Sequence, residues 1–366
     1  MKLSPHNKRR LQNFKSNKRG FYSFWIFSFL FIVSIFADFI ANDKPLLIKF
    51  DQEYYFPIIN EYPETIFGGD FETEADYRDP YVIKLIEDKG WIIMPLIPYT
   101  YNTIIRDLDV PAPAPPSKKN WLGTDDQARD VLARLIYGFR ISILFGFTLT
   151  FFSMIIGVSA GAIQGYFGGK IDSLIMRVGE IFTVIPSFLL VLIITATLKP
   201  RIREWVIWVE DNSFLDGLIS SGFIDYLVVS VALVSFGWYG TARLVRSQIL
   251  FLKEAQYIEA ARAIGVSNWG ILFKHLLPNA LSPIIVTVTM GMGSMVGVEI
   301  FLSWVGVGIQ PPRPSLGLML WEGGNISVLR NQPWMLLAPG IVTWVLMLSW
   351  NLLGDAMNDV FNPRTR

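Results

Sequence analysis

Six stretches of this sequence, near residues 21–41, 141–164, 175–198, 226–245, 281–305 and 335–354, are apolar over about the length of a bilayer-crossing helix. That pattern constrains the fold more than anything else in the chain. One very large soluble core would need the same apolar content, but not cut into span-sized blocks. The composition agrees: 52% of the residues are hydrophobic and 17% charged, where a soluble domain carries about 25% charged residues. The first block follows a basic N-terminus and could pass for a secretory signal. It is longer than the usual 7–15-residue signal core and runs into "DFIANDKP" with no small-x-small cleavage site. It reads as a retained first span.

Charge sets the orientation. Residues 1–20 hold seven Lys and Arg and no acid, which places the N-terminus in the cytoplasm. Residues 42–120 hold 14 acids against 8 bases and read as translocated. Six spans then return residues 356–366 to the cytoplasm. The expected organisation is a cytoplasmic arm (1–20), a first span (21–41), an outer insertion (42–120), a membrane core (121–355) with a cytoplasmic loop at 254–279, and a short tail. The insertion is rich in Tyr, Phe, Pro and Asp and closes on "VPAPAPPSKK", a stiff connector. A second outer insertion is expected near 199–225, with Trp residues suited to the interface.

Several chemistries lack material. There is no Cys, and the two His, His6 and His275, are far apart, so neither a thiolate nor a His-rich metal site is expected. Net charge is +1, and no nucleic-acid partner is indicated. Gly169-Lys170 resembles part of a P-loop, but Gln164 and Ile171 stand where Gly and Ser or Thr are needed. No cluster of acids, His or Ser suggests catalysis. No ring of filter residues supports the different-class alternative, a self-contained channel.

The loop between the fourth and fifth spans carries "EAARAIGVSNWGILFKHLLPNALSP", Glu259 to Pro283. Ala260, Ala261 and Ala263 favour a helix from Glu259 to Ile264. Gly265 permits a turn, and Ser267 is a capping candidate for a second helix. That helix brings Ile271, Leu272, His275 and Leu276 together, and Pro278 is expected to end it. The residues alone leave two readings open: a knob for docking, or a loop packed on its own bundle.

Within the spans, Gly157, Gly161 and Gly165 recur every four residues and suit close helix packing. Glu180 needs a partner or water at membrane depth. It has Arg177 on the same face for a local pair, or it lines a pathway. Pro186 would open the helix ladder and mark a bend. Glu299 meets either its own Pro-rich loop or the pathway. Arg243 and Arg246 read as inner-side anchors, with Arg246 also able to brace the loop. In "NWLGTDDQARDVLARLIYGFRIS" (120–142), Thr124 or Asp125 is the expected cap. Val131, Leu132, Leu135 and Ile136 would form the apolar face of an interfacial helix, with Arg129 and Arg134 on its polar face.

The spacing Glu259-Ala260-Ala261, Gly265, His275, Leu277-Pro278 resembles the EAA loop of ABC importer permeases. His at position 275 is similar to the peptide-importer branch. "LGTD" at 122–125, "EIFLSWVGVGIQPPRPSLG" (299–317) and "NLLGDAMNDVFNPR" (351–364) are similar to the oligopeptide/dipeptide/nickel branch, with Asn362 where Asp is usual. "LSPHNKRRLQNFKSNKRGFYSFWIF", "FIANDKPLLIKFDQEYYFP" and "FGGDFETEADYRDP" resemble the Yej-type subgroup, E-subunit side, of peptide and microcin C importers. The resemblance implies an all-α integral membrane protein of six spans, the type I ABC importer permease fold, with an extended periplasmic insertion between the first two. It implies a multi-pass inner-membrane chain that is not itself an enzyme and binds no cofactor, with ATP and Mg on partner ATPases. The implied partners are a homologous second permease, two ATP-binding subunits or one fused ATPase, a periplasmic substrate-binding protein, a peptide substrate and membrane lipid. Glu259, Ala260, Ala261, Gly265, His275, Leu277 and Pro278 would then form the ATPase-coupling loop. Ala261→Asp is expected to charge that docking surface and stop transport with insertion intact. A nickel or other small-solute permease would share these core motifs.

Overall fold

Each apolar block is helical in the computed structural model, which describes residues 5–213 and 222–361. The chain opens with α1 (Pro5–Ser16), α2 (Lys18–Ile35) and the short α3 (Ala37–Ile40). Next come β1 (Leu47–Phe50), β2 (Glu53–Tyr55), a 3-10 turn (Glu64–Phe67), α4 (Pro80–Glu87) and β3 (Gly90–Ile93). The membrane-type helices follow as α5 (Val131–Phe167), α6 (Gly169–Val184), α7 (Ser187–Asn212) and α8 (Phe223–Lys253). After α9 (Gln256–Ala263) and α10 (Asn268–Gly270), a π segment (Ile271–Leu276) leads into α11 (Leu277–Trp304). The chain ends with α12 (Leu316–Gly323), α13 (Ile326–Asn331) and α14 (Trp334–Phe361). Among the described residues, five helices are long and apolar enough to cross a membrane, and six spans result if the bent pair α6 and α7 counts as one.

That bend is at Pro186. α6 and α7 meet at 94°. Ile185 is extended, at φ −89° and ψ 129°, as a residue before proline is pushed to be. The second outer insertion expected at 199–225 is helical in its first part. Residues 199–212 continue α7, while 214–221 lie outside the described residues. Val206 of α7 packs on Ile224 and Val228 of α8, and Lys199 pairs with Asp225 at 2.5 Å. Asn362, in the C-terminal motif, also lies outside the described residues.

The described residues group into two units by their internal contacts. One takes in residues up to 27, 142–310 and those from 344 onward. In it, α5 and α8 approach through Gly157, Gly161 and Gly165. A Cβ added at Gly161 would lie 2.3 Å from the Ala242 carbonyl oxygen, and one at Gly165 2.8 Å from Ile249 Cβ. The stripe is therefore a packing seam, because any larger side chain would hold the two backbones apart. Phe27 of α2 meets Trp350 of α14 edge-on, with ring centres 4.8 Å apart.

The other unit takes residues 28–141 and 311–343. Here the otherwise helical chain forms a small antiparallel sheet in the order β2-β1-β3, with Ile48 opposite Tyr55 and Ile92. Ile48, Phe50, Phe67, Ala75, Tyr77, Val82 and Ile86 form its core against α4. Asp79 caps α4 by accepting from the Tyr81 N–H at 2.8 Å, with Pro80 at the first helical position. A second cluster joins Ala37, Ala41, Ile97, Tyr99 and Ile105 to Ala133 and Tyr137 of α5. Arg140 reinforces it by donating to Asp38 at 2.7 Å.

Candidate functional site

The loop between α8 and α11 is built as a rigid knob. α9 begins at Gln256, three residues before the expected start, so Ile258 joins it and is fully buried. The helix ends in a Schellman turn. The Gly265 N–H donates to the Arg262 carbonyl at 3.0 Å, and the Val266 N–H to the Ala261 carbonyl at 3.1 Å. Gly265 supplies the required positive φ, +80°. Ser267 then caps α10 by accepting from the Gly270 N–H at 3.2 Å.

One face of the knob is welded to the helices around it. Ile258, Ala261, Ile271, Leu272 and Leu276 share a buried cluster with Val158, Ala162 and Tyr166 of α5, Val245 and Ile249 of α8, and Ala280 and Ile284 of α11. Two polar contacts lock it. The Tyr166 hydroxyl donates to Asn268 Oδ1 at 2.7 Å, and Lys253 Nζ donates to the Tyr166 carbonyl at 2.6 Å. The opposite face is bare: Tyr257, Glu259, Ala260, Arg262, Ala263, Ile264 and Gly265 are exposed. Ile264 is 81% exposed. Trp269 and Phe273 are also exposed and stack at 5.8 Å and 18°, while Phe167 meets Trp269 edge-on at 5.7 Å. A mixed apolar and charged surface with a rigid aromatic ladder suits protein docking, since aromatic side chains anchor interfaces.

The structure divides the residues singled out from the sequence. Glu259, Ala260 and Gly265 are on the bare face. Ala261 is not; at 5% exposed it faces the chain's own cluster. Charging it would disrupt the knob from within, so the reasoning that placed Ala261→Asp in a docking surface is corrected. His275 is half-buried, and its carbonyl accepts from Asn279 Nδ2 at 2.7 Å. Leu277 packs against the cluster. Pro278 does not end the helix, because the chain stays helical from Asn268 to Trp304. Its ring would meet the carbonyl of Lys274 and donates no N–H. The π segment just before it shifts the register, with the Leu277 N–H reaching back five residues to the Leu272 carbonyl.

Glu180 and Arg177 are both exposed on α6, and no ion pair joins them among the described residues. The ion pair on this helix is elsewhere. Arg246 of α8 clasps Asp172, Nε to Oδ1 at 2.7 Å and Nη2 to Oδ2 at 2.6 Å. Arg246 thus braces α6. Glu299 is 1% exposed. Its carboxylate accepts from Ser142 Oγ of α5 and from Ser303 Oγ, each at 2.8 Å. Ser303 Oγ in turn accepts from the Ile309 N–H at 3.3 Å. Glu299 thus bonds α5 directly and is linked to its following loop through Ser303.

The sequence reading missed a buried charge cluster. Arg129 and Arg134, expected on a polar helix face, are 2% and 1% exposed. Arg129 Nε lies 2.7 Å from Asp125 Oδ2, which Arg134 Nη1 also approaches. Arg134 forks onto Glu322 of α12, at 2.7 and 3.0 Å. No separate interfacial helix forms, and residues 131–142 are the first turns of α5. Its cap is Asp130, which accepts from the Ala133 N–H at 2.8 Å and from Asn120 Nδ2 at 2.8 Å. Burial holds the Asp130 carboxyl above its usual range, against the Asn120 amide and the backbone N–H groups that favour its charge. Thr124 serves the preceding loop instead, its hydroxyl accepting from the Ala114 N–H at 2.7 Å.

Residues 136–366 match the family described as binding-protein-dependent transport system inner membrane component. This chain belongs to that family. Among curated proteins it is 38% identical, over 99% of its length and 94% of the relative's, to the peptidoglycan transport system permease protein YejE of Agrobacterium fabrum. It is 36% identical, over 99% of its length and 98% of the relative's, to the inner membrane ABC transporter permease protein YejE of Escherichia coli K12. It is 34% identical, over 70% of its length and 75% of the relative's, to the oligopeptide transport system permease protein OppC of Bacillus subtilis. The two YejE matches include the N-terminal arm and residues 42–120; the family match begins after them.

Proposed function

We propose that this chain is a permease subunit of an ATP-binding cassette importer that carries peptides across the inner membrane. The observation that carries the reading is the two-faced knob at residues 254–279. One face is locked into α5, α8 and α11, and the other is a bare surface with Glu259, Ala260, Ile264, Trp269 and Phe273. A movement imposed on the bare face would be passed to the spanning helices through the buried cluster that joins the loop to them. That is the property a coupling element needs, as transmission works through elements with discrete packings. ATP and Mg are bound and used on partner ATPase chains, two subunits or one fused pair. A homologous second permease completes the pathway, and a periplasmic binding protein delivers substrate.

Peptide as the cargo follows from the relatives' names, which give peptidoglycan and oligopeptide transport. The basic first 20 residues and the tail lie in the cytoplasm by their charge. Residues 42–120 lie in the periplasm, where their small sheet domain is suited to meeting the binding protein. Glu180, exposed on α6, faces the aqueous pathway. Glu299 is a structural carboxylate that fixes the end of α11.

The test is co-purification from detergent-solubilised membranes with this chain as bait, paired with Trp269→Ala. Trp269 is exposed and stacked, so its truncation leaves the buried cluster untouched. The expected result is a second permease and ATPase subunits with the unmodified chain, and loss of the ATPases alone with the variant. Recovery of this chain by itself, under conditions that keep other transporters whole, would sink the importer reading. Ion conduction by the purified chain alone would replace it with a channel.

A further inference from the structure

The 20 N-terminal residues carry seven of the chain's 32 Lys and Arg with no acid among them. Four of these bases, Lys8, Arg9, Arg10 and Lys15, are on α1. α1 is not the beginning of the first span. Asn17 Oδ1 accepts the Gly20 N–H at 3.2 Å, the bond of a capping residue to the third residue of the helix it starts. A cap marks the point where the backbone leaves helical dihedrals. α1 is therefore a separate helix, about 18 Å long at 1.5 Å per residue, attached to the end of α2.

The joint is fixed. A Cβ added at Gly20 would lie 2.1 Å from Ala356 Cβ of α14, and Asn17 Nδ2 donates to Asp359 Oδ2 at 3.4 Å. It is also ringed with aromatics. Phe14 meets Phe21 and Phe24 edge-on at 6.3 and 6.0 Å, and Tyr22 and Trp25 are exposed. Such rings collect at the headgroup level of a bilayer. Turning α1 at 100° per residue puts Leu11 and Phe14 on one stripe. Lys15 is next to that stripe, and the sequence spacing supplies further basic residues at positions 8, 9 and 10. Leu11 is exposed, as is Lys15. An apolar stripe bordered by basic side chains is the pattern of a helix lying in an interface, its cations turned up toward phosphates.

We propose that α1 lies on the membrane surface and binds anionic phospholipid headgroups through Lys8, Arg10 and Lys15, with Arg9 adding to the attraction. The partner is lipid because the basic arm continues directly into an aromatic belt and an apolar span. At that depth the available anions are phosphodiesters. α1 then fixes the ends of α2 and α14 to the lipid surface, so the chain senses the anionic content of its membrane.

The absence of Cys makes the test direct. The full chain carrying Leu11→Cys, labelled with an environment-sensitive nitrobenzoxadiazole dye, is placed in nanodiscs of phosphatidylcholine or of a phosphatidylcholine and phosphatidylglycerol mixture. The expected result in the anionic discs is a blue shift with about a twofold rise in intensity, reversed as salt is raised from about 0.05 M to 0.5 M and screening shortens. The variant Lys8→Gln/Arg9→Gln/Arg10→Gln/Lys15→Gln should lose the rise. Equal emission in the two discs, or no response to salt in the unneutralised chain, overturns the proposal, even if the quadruple variant fails to fold. A rise that appears in phosphatidylcholine discs only on adding ATPase subunits also overturns it, assigning the arm to protein. No transport is measured, so the outcome is independent of the importer reading.

Discussion

Ala260 and Ala261 are neighbours in the EAA sequence, yet Ala260 is exposed and Ala261 buried, and one substitution applied to each separates docking from stability. Ala261→Asp adds a carboxyl group where Ile258, Ile271, Leu272 and Leu276 leave no polar partner. Overpacking costs about 1–3 kcal/mol, and burying the unpaired group costs about 1–3 kcal/mol more on the mutational scale. The sum, about 4 kcal/mol, raises the opening equilibrium of the knob by roughly 10³-fold. Ala260→Asp, on the bare face, should change stability by less than about 1 kcal/mol. Hydrogen exchange of residues 256–276, read by mass spectrometry in detergent, reports the opening. Co-purification of ATPase subunits reports docking. Ala261→Asp should lose both protection and ATPases, and Ala260→Asp only the ATPases. An Ala261→Asp chain with unchanged protection would refute the burial argument. Retained ATPases with Ala260→Asp would remove position 260 from the docking face.

Three further outcomes follow from local geometry. Gly265→Ala should cost about 1–2 kcal/mol, since an L-residue there must hold φ at +80°; with no atom near the new Cβ, the loss should show as faster exchange confined to the Schellman turn. Gly161→Leu should lower the melting temperature sharply, at or above the ~3 kcal/mol usual ceiling for overpacking, because the Ala242 backbone blocks its Cβ. A melt within a degree of the unmodified chain would show that α5 and α8 part easily. Arg134→Met should destabilise by about 3–5 kcal/mol through the carboxylates it leaves buried, and Arg134→Met/Glu322→Met should recover part of that loss, measured by thermal unfolding of both variants.

The spans, the glycine seam, the turn at Gly265 and the Ser267 cap were legible because each rests on neighbours within a few residues. The orientation of Ala261 was not. Starting α9 at Glu259 left out Ile258, the side chain that marks the inward face three residues before it. Arg129 and Arg134 read as surface charges because Glu322, which pairs with Arg134, is 188 residues further along. The sheet at 47–93 joins short strands of three and four residues whose alternation is too brief to declare itself. Pro278 misled for a different reason: its effect on the helix was absorbed by the π segment, which no residue type announces.

That absorption has a mechanical result. With Pro278 accommodated, the helical rod from Asn268 to Trp304 is uninterrupted and about 55 Å long, more than the thickness of a bilayer with its headgroups. Its near end carries Trp269 and Phe273; its far end carries Glu299 and Ser303, bonded to α5 and to the loop at Ile309. Helical backbone, shifted in register once at the π segment beside Pro278, joins the two ends. The bare loop face and the contact with α5 therefore belong to one helical stretch and are not tied by side chains alone.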